Sequence, residues 1–396
     1  MDHAPLSASG SATWLNCPGS VAAQADPELP PEVSSPFAQE GTVAHKLADL
    51  CLTATYPAEH YLGEFICADE GITDICVDEE MVNYIKAYVE YVDGLGRHQF
   101  PETRVDFSPW TIPGQFGTSD NITIDDKVMH VVDLKYGKGV QVFAENNTQA
   151  MLYGLGSHND FGWMFPKVTK IQMHIYQPRI NHYDDWQITL KKLLEWGNDV
   201  AKPAAEATME SDAPRIPGEK QCLWCKARPI CPEAAQHNLA IAMEEFTDIG
   251  DHGDLIDTNL LTLADIAKIL PNVDGIISWA KSVESHAVDS LKEGKSVPGY
   301  KLVEGRSNRV YNDEEQALIW VDAKIGDDSF NPPTPRARKT LAQIDKLCTK
   351  GQKVEFKTFH KKAPGKPALA VESDPRTAFN SQEAGTQSAM ADFEDL

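Results

Sequence analysis

Three cysteines within ten residues constrain this chain more than any other feature of its sequence. They form the pattern Cys222-x-x-Cys225 followed by Cys231, with Pro232 directly after. A Cys-x-x-Cys pair lets two sulfurs reach one metal, and it occurs in both zinc and iron–sulfur sites. Three cysteines leave either site one ligand short, and Cys17, about 205 residues earlier, is the natural fourth. An iron–sulfur cluster, a zinc ion and four reduced cysteines without a metal all remain open at this point.

The composition is typical of a globular chain, with 42% hydrophobic and 24% charged residues. No apolar run approaches the roughly 18 residues that cross a bilayer. The N-terminus has no basic stretch followed by an apolar segment, so no secretory signal is visible. We therefore expect a cytoplasmic protein without a membrane partner, in the host cytoplasm if a phage encodes it. A disulfide framework is not expected in such a compartment.

The net charge of −23 argues at first sight against a nucleic-acid ligand. The charge is unevenly spread, however. Segment 331–366 holds ten lysines and arginines against Asp345 and Glu355, a local balance of +8. This segment is explained equally well by a solvated helical surface and by a surface that binds phosphates. A metal-dependent nuclease also concentrates carboxylates at its site, so acidity does not exclude one.

The periodicity of apolar residues changes along the chain. Helical spacing gives way to two-residue alternation and then returns. The predicted elements are, in order, helices over 39–53 and 78–95, strands over 104–107, 116–124 and 127–134, a helix over 147–156, and strands over 170–177 and 186–190. This order predicts an α/β fold with a mixed central sheet flanked by helices.

The composition predicts three regions. Residues 1–245 form the α/β domain that the cysteines close. Residues 246–369 form a smaller, mostly helical accessory region that contains the basic segment. Residues 370–396 are acidic and polar, which predicts a disordered tail.

The strongest catalytic signal is Asp133-x-Lys135 at the end of the third predicted strand. Residues at i and i+2 of a strand share a face, although an isolated pair of this kind is usually a surface ion pair. Asp120 lies on the adjacent strand, and the turn at Asp125-Asp126 can bring its carboxylate close to that of Asp133. A divalent cation relieves the repulsion between two close carboxylates. Mg²⁺ or Mn²⁺ held there could polarise a phosphate and activate water, while Lys135 would position that water or stabilise developing charge.

Two further features fit such a site. His45 lies on the first predicted helix, where a neutral imidazole could complete the metal shell. A lone helical histidine is more often an ordinary surface or core residue. Gln149 and Tyr153 stand at i and i+4 and share a helix face, although a core tyrosine is the usual explanation for such a position.

The order of these motifs resembles that of the RecB-like nucleases of the PD-(D/E)XK superfamily, over roughly residues 9–240. The matching motifs are Gly41-x-x-x-His45, Gly117-x-x-Asp120, Asp133-x-Lys135 and Gln149-x-x-x-Tyr153. The resemblance implies a restriction-endonuclease-like core with Asp120, Asp133 and Lys135 as catalytic residues. It implies His45, Asp120 and Asp133 as metal ligands, and Gln149 and Tyr153 as DNA contacts or supports of the site. Ser119 stands where the superfamily name places a proline, a departure that RecB-like members share.

One early and three late cysteines around these motifs resemble the iron–sulfur nucleases, among them AddB-like and CRISPR-adaptation nucleases. That likeness implies a [4Fe–4S] cluster on Cys17, Cys222, Cys225 and Cys231, with zinc as the alternative occupant. The cluster would be structural, because it would tie the two ends of the domain together as a cross-link does.

The combined expectation is a Mg²⁺- or Mn²⁺-dependent deoxyribonuclease. By analogy it is an exonuclease of phage DNA recombination or processing, which acts on DNA beside a single-strand annealing or single-strand-binding protein. No Gly-x-x-x-x-Gly-Lys-Ser/Thr motif occurs, so unwinding by ATP would need another protein. The alternative from another class is a non-catalytic DNA-binding recombination accessory protein that retains the fold.

Overall fold

The computed structural model of the protein describes residues 4–27, 29, 36–53, 56–66, 75–247, 263–305, 307–331, 337–363 and 365–379. The chain forms two compact units, Met1–Trp279 and Ala280–Leu396. Among the described residues, no helix is both long enough and apolar enough to cross a membrane.

A mixed sheet forms the centre of the first unit. Its five strands are β1 (His98–Asp106), β2 (Phe116–Asp125), β3 (Val128–Leu134), β4 (Lys170–Gln177) and β5 (His182–Thr189). They lie side by side in chain order. Neighbours are antiparallel except β3 and β4, which are parallel and need a crossover connection. The predicted α/β fold with a mixed central sheet is confirmed at this level.

The first unit contains ten helices among its described residues. They are α1 (Ser11–Trp14), α2 (Ser20–Gln24), α3 (Pro36–Thr53), α4 (Glu79–Asp93), α5 (Thr148–Phe161), α6 (Leu190–Trp196), α7 (Lys202–Ala207), α8 (Glu219–Leu223), α9 (Pro232–Thr247) and α10 (Leu263–Lys292), the last of which ends in the second unit. Helices α3 and α4 pack on one face of the sheet, and α5 and α6 pack on the other. Helix α5 is the crossover between β3 and β4. It begins at the N-cap Asn147, whose side chain accepts a hydrogen bond from the N–H of Ala150 at 3.1 Å. Losing such a cap costs about 1 kcal/mol.

The alternation along β3 divides the apolar side chains between the two faces of the sheet. Met129 and Val131 are fully buried in the core that includes α5. Val132 and Leu134 are fully buried in the opposite core, with residues of α3 and α4. Each such side chain stabilises the fold by about 1.5–3 kcal/mol. The end of β3 is therefore held from both sides, and this is where Asp133 and Lys135 lie.

The two edge strands extend further than their apolar alternation predicts. β1 begins at His98 rather than Arg104, and β5 begins at His182 rather than Trp186. Edge strands carry polar and charged residues, so the alternation is weak there. The hairpin between β2 and β3 forms, but its turn is Asp126-Lys127, one residue later than the predicted Asp125-Asp126, because Asp125 pairs with Val128. Asp126 has φ 46°, in the left-handed region that Asp tolerates.

The second unit combines helices with small two-stranded sheets. Its elements after α10 are β6 (Tyr300–Glu304), β7 (Arg309–Tyr311), α11 (Glu314–Lys324), β8 (Phe330–Asn331), β9 (Ala337–Arg338), α12 (Leu341–Leu347), α13 (Lys350–Phe356), β10 (His360–Lys362) and β11 (Pro367–Val371). The pairs β6–β11, β7–β10 and β8–β9 are antiparallel. Val321, Ile344, Cys348 and Phe356 form its small core.

The regional boundaries differ from the predicted ones. The units divide at residue 279 rather than 245, because Arg228 donates to Gly275 O and Ser278 Oγ and so ties the first part of α10 to the first unit. Residues 370–379 were expected to open the disordered tail. They instead complete β11 and place Ala378 in a bridge with Val303. Residues 380–396 lie outside the described residues.

Candidate active site and cysteine site

Asp120 and Asp133 lie side by side at the end of the β2–β3 hairpin that faces away from its turn. The strands pair Asn121 with Val132, and the two aspartates are the next residues on each strand. The N–H of Leu134 donates to Asp120 Oδ2 at 2.7 Å, which holds this carboxylate against β3. The hairpin thus brings together the two carboxylates that the sequence placed thirteen residues apart.

His45 reaches the same place from α3. Its Nδ1 lies 3.1 Å from Asp120 Oδ1, with side chains only 31% and 16% exposed. Burial favours the neutral imidazole, but the charge and hydrogen bond of Asp120 outweigh it and raise the pKa of His45 to about 9. Burial likewise opposes ionisation of Asp120, yet His45 and Lys135 hold its pKa below the ordinary value.

Glu102 is the site residue that the sequence did not reveal. It lies opposite Asp120 in the β1–β2 ladder, between the pairs Pro101–Asn121 and Thr103–Ser119, at φ 39°. One ligand atom each from His45, Glu102 and Asp120 lie within 4.8 Å of one another. Burial and the charge of Asp120 raise the pKa of Glu102 to about 7. The sequence predicts that β1 begins at Arg104, which leaves Glu102 outside the predicted strand. The pairing of β1 with β2 is what places Glu102 opposite Asp120.

Asp133 takes part in a different set of contacts. Lys135 Nζ donates to Asp133 Oδ1 at 3.1 Å and lies 2.9 Å from its Oδ2. Gln149 on α5 joins the two, since its Nε2 donates to Asp133 Oδ1 and its Oε1 accepts from Lys135 Nζ, both at 3.1 Å. The predicted catalytic pair and the predicted glutamine therefore form one network beside the His45–Glu102–Asp120 group.

The charge states in this network follow from burial. Asp133 is 3% exposed, and burial raises the pKa of its carboxyl despite Lys135. Burial opposes the charge on Lys135, but Asp133 and Asp120 raise the pKa of its ammonium. Lys135 is therefore a cation at neutral pH.

Tyr153 closes the inner side of the site. It is 8% exposed, and Gln149 Nε2 donates to its hydroxyl at 3.5 Å. Burial, with Asp133 and Asp120 nearby, raises the pKa of the phenol far above its ordinary value. Tyr153 is a neutral support for Gln149 from within the core.

The four predicted cysteines line one cavity. Cys17 precedes α2, Cys222 lies in α8, and Cys225 and Cys231 lie in the turns between α8 and α9. Two backbone N–H groups donate to the sulfurs, from Ile216 to Cys17 at 3.2 Å and from Gly218 to Cys222 at 3.4 Å. Burial raises the pKa of the thiols of Cys17, Cys225 and Cys231.

The predicted basic segment forms part of the second unit. Seven of its lysines are exposed: Lys346, Lys350, Lys353, Lys357, Lys361, Lys362 and Lys366. Lys350, Lys353 and Lys357 follow one another at helical spacing along α13 and the 3₁₀ turn after it. Arg338 instead donates to the carboxylate of Asp322. Arg336 lies outside the described residues.

A family model described as "Protein of unknown function (DUF2800)" matches residues 3–377. The match spans nearly the whole chain, both compact units included, so the chain belongs to this family.

Proposed function

We propose that this protein is a Mg²⁺- or Mn²⁺-dependent DNA nuclease with a RecB-like PD-(D/E)XK core. One observation carries the proposal: a buried Asp133–Lys135 ion pair adjoins the His45–Glu102–Asp120 group at one end of a hairpin. The lysine supplies positive charge for a phosphate, and the oxygen-rich group supplies metal ligands. Phosphodiester hydrolysis needs both within reach of one phosphorus atom.

The donor set suits a hard divalent cation. His45, Asp120 and Asp133 are the proposed ligands, and Glu102 joins them. Carboxylate oxygens dominate this set, as Mg²⁺ and Mn²⁺ prefer. Asp133 Oδ2 is buried and has Lys135 Nζ at 2.9 Å, and a carboxylate oxygen has a second lone pair that a metal can use. Burial and then the negative charge of Asp120 raise the pKa of Glu102 to about 7, and a bound cation would relieve both effects.

The bound ion would polarise the phosphate and lower the pKa of a water molecule. The ammonium of Lys135 is held by Asp133 and Gln149, and the Lys135 side chain is 30% exposed. Its positive charge would stabilise a phosphate oxygen as water adds to phosphorus and one ester P–O bond breaks. Because Lys135 stays protonated, it stabilises charge rather than taking a proton from the water.

DNA as the substrate, the exonuclease mode and a role in phage recombination beside an annealing or single-strand-binding protein rest on the resemblance of the motifs. The exposed lysines along α13 support a polyanionic ligand, because a surface of one charge attracts a phosphate backbone. The competing function is that of a DNA-binding accessory protein without turnover. The hydrogen-bonded Asp133, Lys135 and Gln149 favour catalysis, since such a network preorganises a charge for reaction.

The cysteine cavity supports an iron–sulfur cluster as a structural cofactor. Cys17, Cys222, Cys225 and Cys231 would hold it, and backbone N–H groups that donate to sulfur, as two do here, are a feature of such sites. The choice of a cluster over a single zinc ion rests on the resemblance of the one-early, three-late cysteine spacing to that of iron–sulfur nucleases.

A cleavage assay tests the nuclease proposal. End-labelled linear DNA and circular DNA are incubated with the purified full chain and Mn²⁺ or Mg²⁺. The wild type is expected to cleave, and Asp133→Asn to lose activity by on the order of 10²-fold or more. Asp126→Asn is the matched control, because Asp126 is exposed in the turn of the same hairpin. No cleavage by the wild type would leave the accessory function in its place, and equal cleavage by Asp133→Asn would exclude this site as the source of the activity.

A further inference from the structure

The loop 136–147 connects two parts of the candidate site. It begins directly after Lys135 and ends one residue before α5, which carries Gln149. The hydrogen bond from Lys135 Nζ to Gln149 Oε1, at 3.1 Å, joins the residues on either side of it. Whatever this loop presents to solvent is therefore presented beside the site.

The loop is held in place by side chains of β4 and β5. Gln177 accepts from the N–H of Val142 at 2.7 Å and donates to Val140 O at 3.1 Å. His182 Nε2 donates to Val142 O, and its Nδ1 accepts from Gln141 Nε2, both at 2.7 Å. These four hydrogen bonds hold a short stretch that makes no regular secondary structure.

A fifth hydrogen bond fixes the loop beyond this stretch. Asp184 accepts from the N–H of Ala144 at 2.7 Å. Connecting loops are usually the most mobile part of a fold, so this amount of fixation needs a reason.

This fixed loop exposes two large apolar side chains among polar and charged ones. Val140 is 63% exposed and Phe143 is 58% exposed. The ring of Phe143 meets that of His182 edge-on, with centroids 5.3 Å apart at 74°. The contact with the histidine helps to position the ring, which stays more than half exposed. A ring that is both held in place and exposed is available to stack on a flat ligand.

Chain length limits how far this ring can be from the reacting phosphate. Phe143 precedes Gln149 by six residues, which span at most about 20 Å even when fully extended. Successive bases of one DNA strand rise by about 3.4 Å, so the ring lies within about six nucleotides of the site. A base that stacks on Phe143 belongs to the same strand segment as the scissile phosphate.

We propose that Phe143 is a stacking platform for an unpaired base of the DNA strand whose backbone enters the carboxylate site. This inference rests on the proposed nuclease function and adds a substrate preference: DNA that is single-stranded or frayed at the point of cleavage. Bases inside a duplex cover each other's faces, whereas an unpaired base offers one to the ring. Stacking needs no positive charge, so it gives a strongly acidic chain a contact with DNA that its net charge does not oppose.

The experiment measures binding without hydrolysis. The full chain is titrated in EDTA into a fluorescent oligothymidylate that carries one 2-aminopurine, and into a blunt duplex of the same length. Phe143→Ala is expected to weaken single-strand binding on the order of ten-fold, from the usual contribution of one stacked base, and to abolish quenching of 2-aminopurine. Binding to the duplex is expected to stay unchanged, and Phe143→Trp to retain the single-strand affinity.

Trp163→Ala is the matched control, because Trp163 is 76% exposed and follows the far end of α5, about 20 Å of helix from its start. Thermal unfolding of each variant checks that the fold is intact. Wild-type single-strand affinity in Phe143→Ala would overturn the proposal, because Phe143 would then not contact DNA. An equal loss on single strand and duplex would overturn it as well, because the ring would then not select unpaired bases.

Failure of the two proposals can be told apart. If the wild type cleaves DNA with Mn²⁺ while Phe143→Ala binds single strands as tightly as the wild type, the nuclease proposal stands and the stacking proposal fails. If Phe143→Ala selectively loses single-strand binding in EDTA while the wild type cleaves DNA with neither Mg²⁺ nor Mn²⁺, the stacking proposal stands and the nuclease proposal fails.

Discussion

Gly117 lies directly against the ring of Tyr153. A Cβ on Gly117 would stand 2.7 Å from Tyr153 Cε1 and 3.5 Å from Phe107 Cε1. The glycine therefore leaves β2 open for a ring that comes from α5. Gln149 donates both to the hydroxyl of Tyr153 and to Asp133. The close packing of β2 against α5 at Gly117 therefore supports the position of Asp133 on β3.

The first prediction concerns this contact. Gly117→Ala is expected to destabilise the protein by about 1–3 kcal/mol, because the buried Tyr153 ring has no room to move away. Cleavage should fall as well, since a displaced Tyr153 moves Gln149. Urea unfolding and initial cleavage rates measure the two effects. Gly137→Ala is the control, as a Cβ there meets nothing within 4 Å. Equal stability of both variants would contradict the packing argument.

Gly41 leads to the opposite prediction for stability. It lies inside α3, and a Cβ there meets nothing within 4 Å. Alanine should stabilise the protein by about 0.5–1 kcal/mol, as is usual for glycine in a helix interior. Gly41 stands one turn before His45 on the same helix face. If the DNA backbone approaches there, Gly41→Ala raises KM several-fold despite the added stability. A more stable variant with unchanged KM would show that substrate does not use this space.

Sequence reasoning succeeded where residues are related by local geometry. Asp120 and Asp133 flank a tight turn, and the pairing of a hairpin follows from its turn. Gln149 and Tyr153 follow helical spacing. In each case the periodicity of one element decides which side chains share a face, and the buried side of that element is strongly apolar.

Glu102 could not be found in this way. Its position depends on the pairing of an edge strand, whose polar residues gave no alternation before Arg104. The boundary of the first unit depends on contacts of Arg228 with α10, across nearly fifty residues. Both features depend on tertiary contacts, which local patterns do not encode.

Glu102 supplies the third prediction. Its pKa of about 7 lies above the ordinary 4.5, so the folded state holds this proton more tightly than the unfolded state. The ionised carboxylate therefore destabilises the metal-free protein, and stability falls as pH rises from 4.5 through about 7. In EDTA at alkaline pH, Glu102→Gln is expected to be more stable than wild type by on the order of 2 kcal/mol.

That difference should shrink as pH falls and vanish below 4.5, where Glu102 is protonated in both states. Added Mg²⁺ should stabilise the wild type more than Glu102→Gln, because the variant has lost a ligand. Urea unfolding with and without metal measures both effects, and Asp126→Asn at the hairpin turn is the control. A metal-free variant less stable than wild type at every pH would contradict the crowding of charge around Asp120.

His174 supplies a pH prediction away from the metal group. It is 3% exposed on β4, with Nδ1 2.8 Å from the Tyr91 hydroxyl and Nε2 2.9 Å from His130 Nδ1. Burial, and then His130, lower its pKa from 6.5 to about 4, although Asp185 acts in the opposite direction. The unfolded state thus binds the proton more tightly. Stability from this group is complete above pH 6.5 and is lost as pH falls towards 4.

The full effect of His174 is about 3 kcal/mol, at 1.36 kcal/mol per pKa unit. His174→Gln should therefore show a flatter loss of stability than wild type between pH 6.5 and 4. Urea unfolding across this range gives the comparison. His237→Gln is the control, because His237 is exposed on α9. Parallel curves for wild type and His174→Gln would show that this buried histidine does not cause acid destabilisation.

The cysteine site supplies the last prediction. A cluster on Cys17, Cys222, Cys225 and Cys231 closes a loop of about 200 residues, which by analogy with a cross-link stabilises the fold by about 5 kcal/mol. Protein purified without oxygen should hold iron and acid-labile sulfide in equal amounts. Cys225→Ala should lose both and unfold at lower urea, while Cys76→Ala, at an exposed cysteine, should lose neither. If the wild type contains zinc and no sulfide, the site holds a single zinc ion rather than an iron–sulfur cluster. Unchanged metal content and stability in Cys225→Ala would exclude this cysteine as a ligand. If the cleavage activity of Cys225→Ala falls only in proportion to the unfolded fraction, the role of the cluster is structural.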